Sequence, residues 1–181
     1  MNNLDAQQSM LLIIDIQTKL SPAINNFSSL LDCALKLVQG SNVLSIPIMV
    51  TEQYPQGLGF THPLLKKELN LSAYFNKTHF SACNEPEFLQ SITGYERPEV
   101  VVIGTEAHVC VLQTCLDLLD KGFKVVIAAD AIGSRNKRHK KIAIEQMRDA
   151  GAIISSVESI IFQWTKKAAT SKFKEILKII K

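Results

Sequence analysis

Apolar positions along the chain fall into short unbroken runs separated by longer stretches with helical spacing. Met10–Ile14, Pro47–Thr51, Val100–Ile103, Val125–Ala129 and Ala152–Ile154 read as strands, with a weaker one at Ala73–Asn76. Their nearly continuous apolar character predicts a parallel sheet covered on both faces, because a strand with one wet face would alternate instead. Between the runs, Ser28–Ser45 carries Leu31, Ala34, Leu35 and Val38 at helical spacing. Val109–Lys121 places Leu112, Leu116 and Leu119 on one face, with Gly122 as its stop. Lys137–Ala150 is polar on one side and ends at Gly151. Ser155 with Glu158 predicts a capping box opening a further helix. The last segment has Phe173, Ile176, Leu177 and Ile180 on one stripe, fit for its own core or for a subunit interface, with its lysines on a solvated face. This βαβ repetition predicts a three-layer α/β sandwich around an open, mostly parallel sheet. The longest irregular stretch, about Glu52 to Leu71, contains Pro55, Gly57, Gly59 and Pro63; it is either a functional loop or a surface excursion.

Composition narrows the class. The chain has 181 residues, 46% of them hydrophobic and 20% charged, with a formal net charge of +3. That predicts one domain, residues 1–181, able to bury roughly 70% of its unfolded surface without disulfides or metal. So small a positive surplus gives no reason to expect a nucleic-acid or membrane surface. The four cysteines (33, 83, 110 and 115) contain no CxxC pair, which argues against a zinc ribbon. The apolar run MLLII ends at Asp15 after five residues, too short for a signal segment or a membrane span. A cytoplasmic protein with reduced thiols is expected.

In such sheets, ligands bind beyond the carboxyl ends of the strands. Three reactive side chains fall there: Asp15 after MLLII, Lys77 after YFN, and Cys110 after the short loop that follows VVIG. Each also has a plain structural reading. An Asp after a strand caps turns, a Lys is a solvated charge, and a Cys near a helix start is a small buried apolar residue. Together they form a coherent set. A free thiol (pKa ~8.5) is mostly protonated at neutral pH and needs a base or a nearby cation to become nucleophilic. Asp15 supplies the first, Lys77 the second, and a helix N-terminus behind Cys110 would lower the thiol pKa further.

Three segments carry a resemblance to a known family. IIDIQTKL (13–20), NKTHFSAC (76–83) and VVIGTEAHVCVLQTCLDLLDKGFKVVIAADAIGSR (101–135) resemble the motifs of the isochorismatase-like hydrolases, also called cysteine hydrolases, in order and spacing over nearly the whole chain. The resemblance implies a three-layer αβα fold with a six-stranded sheet and a triad of Asp15, Lys77 and Cys110. It implies a cis peptide between Thr105 and Glu106, with the N–H groups of Glu106 and Cys110 forming an oxyanion hole. It also implies nucleophilic hydrolysis of a small amide or related C–N bond, with a thioester-type intermediate. No cofactor is expected. Nicotinamidases of this superfamily carry an Asp-x-His metal pair that is missing from VTEQYPQGLGFTHPLL (50–65), so no metal is expected either. Isochorismatases proper lack the nucleophilic cysteine. TEQYPQGLG and GTEAHVCVLQT are similar to the isochorismatase domain-containing subgroup, and Leu20 stands where the superfamily often has Phe.

Gln17, Leu20, Gln53, Tyr54 and His108 are candidates for a substrate pocket. Tyr54 could instead pack on its own loop, and His108 could cap or pack against the next helix. Asp130 and Arg135 are expected to fix loops, and Cys33, Cys83 and Cys115 to be packing residues. The family's habit implies a homo-oligomer with a small-molecule substrate. The competing reading is a non-enzymatic binding or scaffold protein on the same fold. A dinucleotide site is disfavoured because VVIGTE has a single glycine and no GxGxxG.

Overall fold

A computed structural model describes residues 3–69 and 74–181. It contains a six-stranded sheet built from β1 (Ser9–Ile14), β2 (Ile48–Gln53), β3 (Phe75–Lys77), β4 (Glu99–Thr105), β5 (Lys124–Gly133) and β6 (Ile153–Ser155). The strands run in the order β3-β2-β1-β4-β5-β6, and each neighbouring pair is parallel. The six-stranded α/β expectation is met. The weak strand lies at Phe75–Lys77, with Lys77 as its last residue rather than beyond it; Ala73 lies outside the described residues.

Among the described residues, eight α-helices accompany these strands: α1 (Phe27–Leu44), α2 (Pro55–Leu58), α3 (Pro63–Glu68), α4 (Phe88–Thr93), α5 (Leu112–Asp120), α6 (Lys137–Asp149), α7 (Val157–Thr165) and α8 (Ser171–Ile180). They form two layers, because continuous apolar strands still alternate between faces. Leu11, Ile13, Val101, Ile103 and Val126 point to the side of α1, α7 and α8. Met10, Leu12, Val100, Val102 and Val125 point to the side of α4, α5 and α6. Ile176 of α8 is buried in the first of these cores, so that helix spends its stripe on its own chain.

Several local expectations need correction. The stretch from Glu52 is not irregular: Glu52 and Gln53 extend β2, and α2 and α3 follow. The buried Glu52 carboxylate accepts from the Thr61 N–H and hydroxyl at 2.6 and 2.7 Å, which ties this excursion to the sheet. The cap of α7 is Ser156, which accepts from the Ser159 N–H, because Ser155 is still paired in β6. β5 runs on to Gly133, with a register shift against β4 near Gly104. The helix expected from Val109 begins with a π-helical turn, Ala107–Val111, and becomes α5 only at Leu112.

Candidate active site

The sheet order reverses between β1 and β4, and the crevice beyond the carboxyl ends of these strands is where such sheets hold ligands. Asp15 is the first residue after β1 and adopts a positive φ of 52°. Asp tolerates this left-handed geometry better than β-branched residues do. β3 brings Lys77 to the same edge from two strands away, and Cys110 descends from β4 through the π-helical turn. The Thr105–Glu106 peptide at the top of β4 is cis.

Asp15 and Lys77 form an ion pair with Oδ2 and Nζ 2.8 Å apart, both side chains fully buried. Asp15 Oδ1 accepts from the Thr51 hydroxyl at 2.7 Å, and the Thr105 hydroxyl donates to the Asp15 carbonyl at 2.5 Å. The Lys77 ammonium also reaches Gln53 Oε1 at 2.6 Å and the carbonyls of Phe80 and His79 at 3.2 and 3.3 Å. Those carbonyls sit on a turn clamped by Glu85, which accepts the Thr78 and His79 N–H groups at 2.6 and 2.9 Å. These donors, chiefly the His79 N–H, hold the Glu85 carboxyl down at about 2. Oδ2 of Asp15 meets Lys77 as a charge contact, not as an aligned hydrogen bond, and among the described residues it has no hydrogen-bond partner.

Cys110 is 7% exposed, and its thiol donates to Gln53 Oε1 at 3.9 Å, the oxygen that also receives the Lys77 ammonium. Burial, followed by the Asp15 charge, pushes its thiol up from 9.0 to about 12 against the pull of Lys77. Desolvation and the Asp15 charge outweigh the pull of Lys77, so a thiol rather than a thiolate is expected at rest. Cys110 is therefore expected to give no thiolate absorbance, measured against Cys110→Ala, at the pH where a free thiol is half ionised, ~8.5. A titration at or below that pH would overturn the protonated resting state.

The remaining sequence candidates separate. Gln53 faces the centre: its Oε1 lies 3.9 Å from Cys110 Sγ, and its Nε2 donates to the Thr78 carbonyl at 2.7 Å. The Gln17 amide is spent on backbone, accepting from the Gln53 N–H at 2.8 Å and donating to the Gln53 carbonyl at 3.0 Å and the Gly59 carbonyl at 2.5 Å. It joins the chain after β1 to β2 and the α2 turn, so it positions neighbours. Tyr54 is 55% exposed, and its ring covers Gly57, where a β-carbon would collide with it. Leu20 is half-buried at the start of a short 3₁₀ turn. His108 packs: its Nδ1 lies 2.9 Å from the Ser134 hydroxyl and its ring 4.8 Å from that of His139. Burial lowers its pKa, and the neighbouring His139 and Arg135 add to the effect. Asp130 accepts from the Val157 N–H at 2.9 Å, fixing the start of α7, and Arg135 Nε reaches Glu106 Oε1 at 2.6 Å.

Among the described residues, no group of three His, Cys, Asp or Glu side chains could hold a metal ion, and no helix is long and apolar enough to cross a membrane. Thr51, Thr105 and Glu85 carry no sequence signal of their own, since each matters only through the partner that tertiary structure brings to it.

A family model described as the isochorismatase domain matches residues 9–159. Isochorismatase family protein 1B of Dictyostelium discoideum is 40% identical over 180 residues, covering 97% of this chain and 87% of that protein. A Caenorhabditis elegans structure titled MAR1 ribonuclease is 38% identical with a TM-score of 0.91, covering 98% of this chain and 92% of that one. The Escherichia coli YcaC structure, titled an octameric hydrolase of unknown specificity, has a TM-score of 0.94 at 19% identity over 99% of this chain and 90% of that one, a likeness of fold alone.

Proposed function

The chain belongs to the isochorismatase family, and from that premise we propose that it is a cysteine hydrolase cleaving a small amide or related C–N bond. Family membership supports a hydrolase function. The finer reading is carried by one observation: the buried Asp15 carboxylate, ion-paired with Lys77, stands beside the buried Cys110 thiol, which shares Gln53 Oε1 with that lysine. That is what a nucleophile activated at the moment of attack requires.

Cys110 Sγ attacks the carbonyl carbon as its proton passes to Asp15 Oδ2. The C=O electrons move onto oxygen, and the oxyanion is held by the N–H groups of Glu106 and Cys110. Collapse breaks the C–N bond, and Asp15 returns the proton to the departing nitrogen. Water then attacks the thioester, again giving its proton to Asp15; the acid leaves and the thiol is restored. Lys77 holds the Asp15 carboxyl in place through both proton transfers, and Gln53 orients Lys77. The exposed Phe60 and Leu64 support a homo-oligomer.

The test is a panel of small amides with ammonia release as the readout, wild type beside Cys110→Ala. Single-stranded RNA joins the panel because of the relative titled a ribonuclease. Turnover of an amide that vanishes in Cys110→Ala is the expected result. No amide turnover by wild type would favour the non-enzymatic scaffold, and RNA cleavage that survives in Cys110→Ala would replace the amidase reading.

A further inference from the structure

A carboxylate that caps its own turn usually does no more than stiffen it. Glu85 caps a turn on which Lys77 depends. Its Oε1 accepts from the Thr78 and His79 N–H groups at 2.6 and 2.9 Å and lies 3.0 Å from His79 Nδ1. Peptide units are planar, so fixing an N–H fixes the C=O at its other end. The Thr78 N–H shares a peptide with the Lys77 carbonyl, which accepts from the Tyr54 N–H at 2.8 Å. The His79 N–H shares one with the Thr78 carbonyl, which accepts from Gln53 Nε2 at 2.7 Å. The next two carbonyls, of His79 and Phe80, receive the Lys77 ammonium at 3.3 and 3.2 Å. Beyond the clamp, the chain is fastened to the helix that follows Cys110. The Ser81 hydroxyl donates to Asp117 at 2.5 Å, and the Ala82 N–H to the Thr114 hydroxyl at 3.0 Å. Glu85 makes no hydrogen bond to Asp15, Lys77 or Cys110 among the described residues, so it acts on them only through the turn.

We propose that Glu85 is a positioning residue for the hydrolysis: by clamping the turn at 78–80 it holds the Lys77 ammonium against Asp15 and Gln53, and so sets how readily Cys110 reacts. The proposal rests on Cys110 being the nucleophile. Without Glu85, two adjacent N–H groups lose their acceptor, and the carbonyls behind them no longer fix the ammonium in one place. Lys77 Nζ is fully buried and 2.8 Å from Asp15, so a small slip of the turn breaks the contact. A misplacement of about 1 Å at a reacting centre can cost ~10²-fold.

Alkylation of Cys110 by iodoacetamide tests it without a substrate. Peptide mass spectrometry follows each cysteine, with the half-buried Cys33 on α1 as internal reference. In Glu85→Ala, Cys110 is expected to react about ten- to a hundredfold more slowly than in wild type. Its rate-against-pH curve should move to higher pH, because Lys77 is the group that pulls this thiol pKa down. Glu85→Gln keeps an acceptor oxygen without the charge and should fall between the two. A merely loosened fold would do the opposite, speeding the buried Cys110 and Cys115 together. In the background Asp15→Asn with Lys77→Met, the lysine is gone, and adding Glu85→Ala should change the Cys110 rate by no more than about twofold. An unchanged Cys110 rate in Glu85→Ala, or one that rises along with that of Cys115, overturns the positioning role and leaves the nucleophile standing. An equal slowing in the background without Lys77 overturns it too. If Cys110 of the wild-type protein does not react at all, the nucleophile falls, and the proposal with it.

Discussion

Asp15→Asn is expected to cut turnover of the amide substrate by about 10²–10⁴-fold, the usual share of a positioned proton-transfer group. The amide keeps the shape of the carboxylate and can still accept from the Thr51 hydroxyl, but it cannot take the Cys110 proton. The same change strips the fully buried Lys77 of its counter-charge, and removing one partner of a buried pair costs about 3–5 kcal/mol. Urea unfolding beside the kinetics reads the two effects separately. The double variant Asp15→Asn with Lys77→Met removes the stranded charge and should recover much of the lost stability, with turnover still absent. A stable Asp15→Asn protein that retains turnover within about tenfold of wild type would sink the general-base assignment.

Gly104→Ala is expected to cost about 4 kcal/mol or more, enough to leave little folded protein. Gly104 pairs with Ile14 in the β1–β4 ladder at a φ of +141°, a region that side chains rarely adopt. A β-carbon there would overlap the Ile14 carbonyl oxygen and stand 2.8 Å from its carbon and nitrogen. These are backbone atoms of the central strand, with no side chain able to swing aside. Gly122→Ala separates backbone conformation from collision. Its φ is +85° but nothing lies within 4 Å of the new carbon, so a loss of about 1 kcal/mol is expected. Equal losses at the two positions, measured by denaturant unfolding, would show that the contact with Ile14 carries no weight.

Both effects trace to the junction of β1 and β4, and they mark how far local reading reaches. The strands were legible because burial on both faces writes a continuous apolar run into the chain, and MLLII and VVIG carry it plainly. The order of residues 52–69 was not, since it depends on Glu52 receiving Thr61, nine residues away, and a buried acid in a polar stretch has no local signature. The cap of α7 was misplaced by one residue because pairing of Ser155 with β5 was decided by the sheet. Gln17 read as a substrate contact, and its amide turned out to be taken by the backbone of β2 and the α2 turn.

The sequence by itself determined the fold class and the order of the strands and pointed to Asp15, Lys77 and Cys110 as the candidate set, because periodicity and motif order are properties of the chain alone. Tertiary structure decided the rest. It pushed the Cys110 thiol pKa up, because desolvation depends on what packs around the sulfur. It fixed both oxygens of Asp15, because Thr51 reaches Oδ1 from β2 and Lys77 reaches Oδ2 from β3. It also brought the start of α6 against the Cys110 turn, a meeting of residues some thirty positions apart that no local pattern encodes.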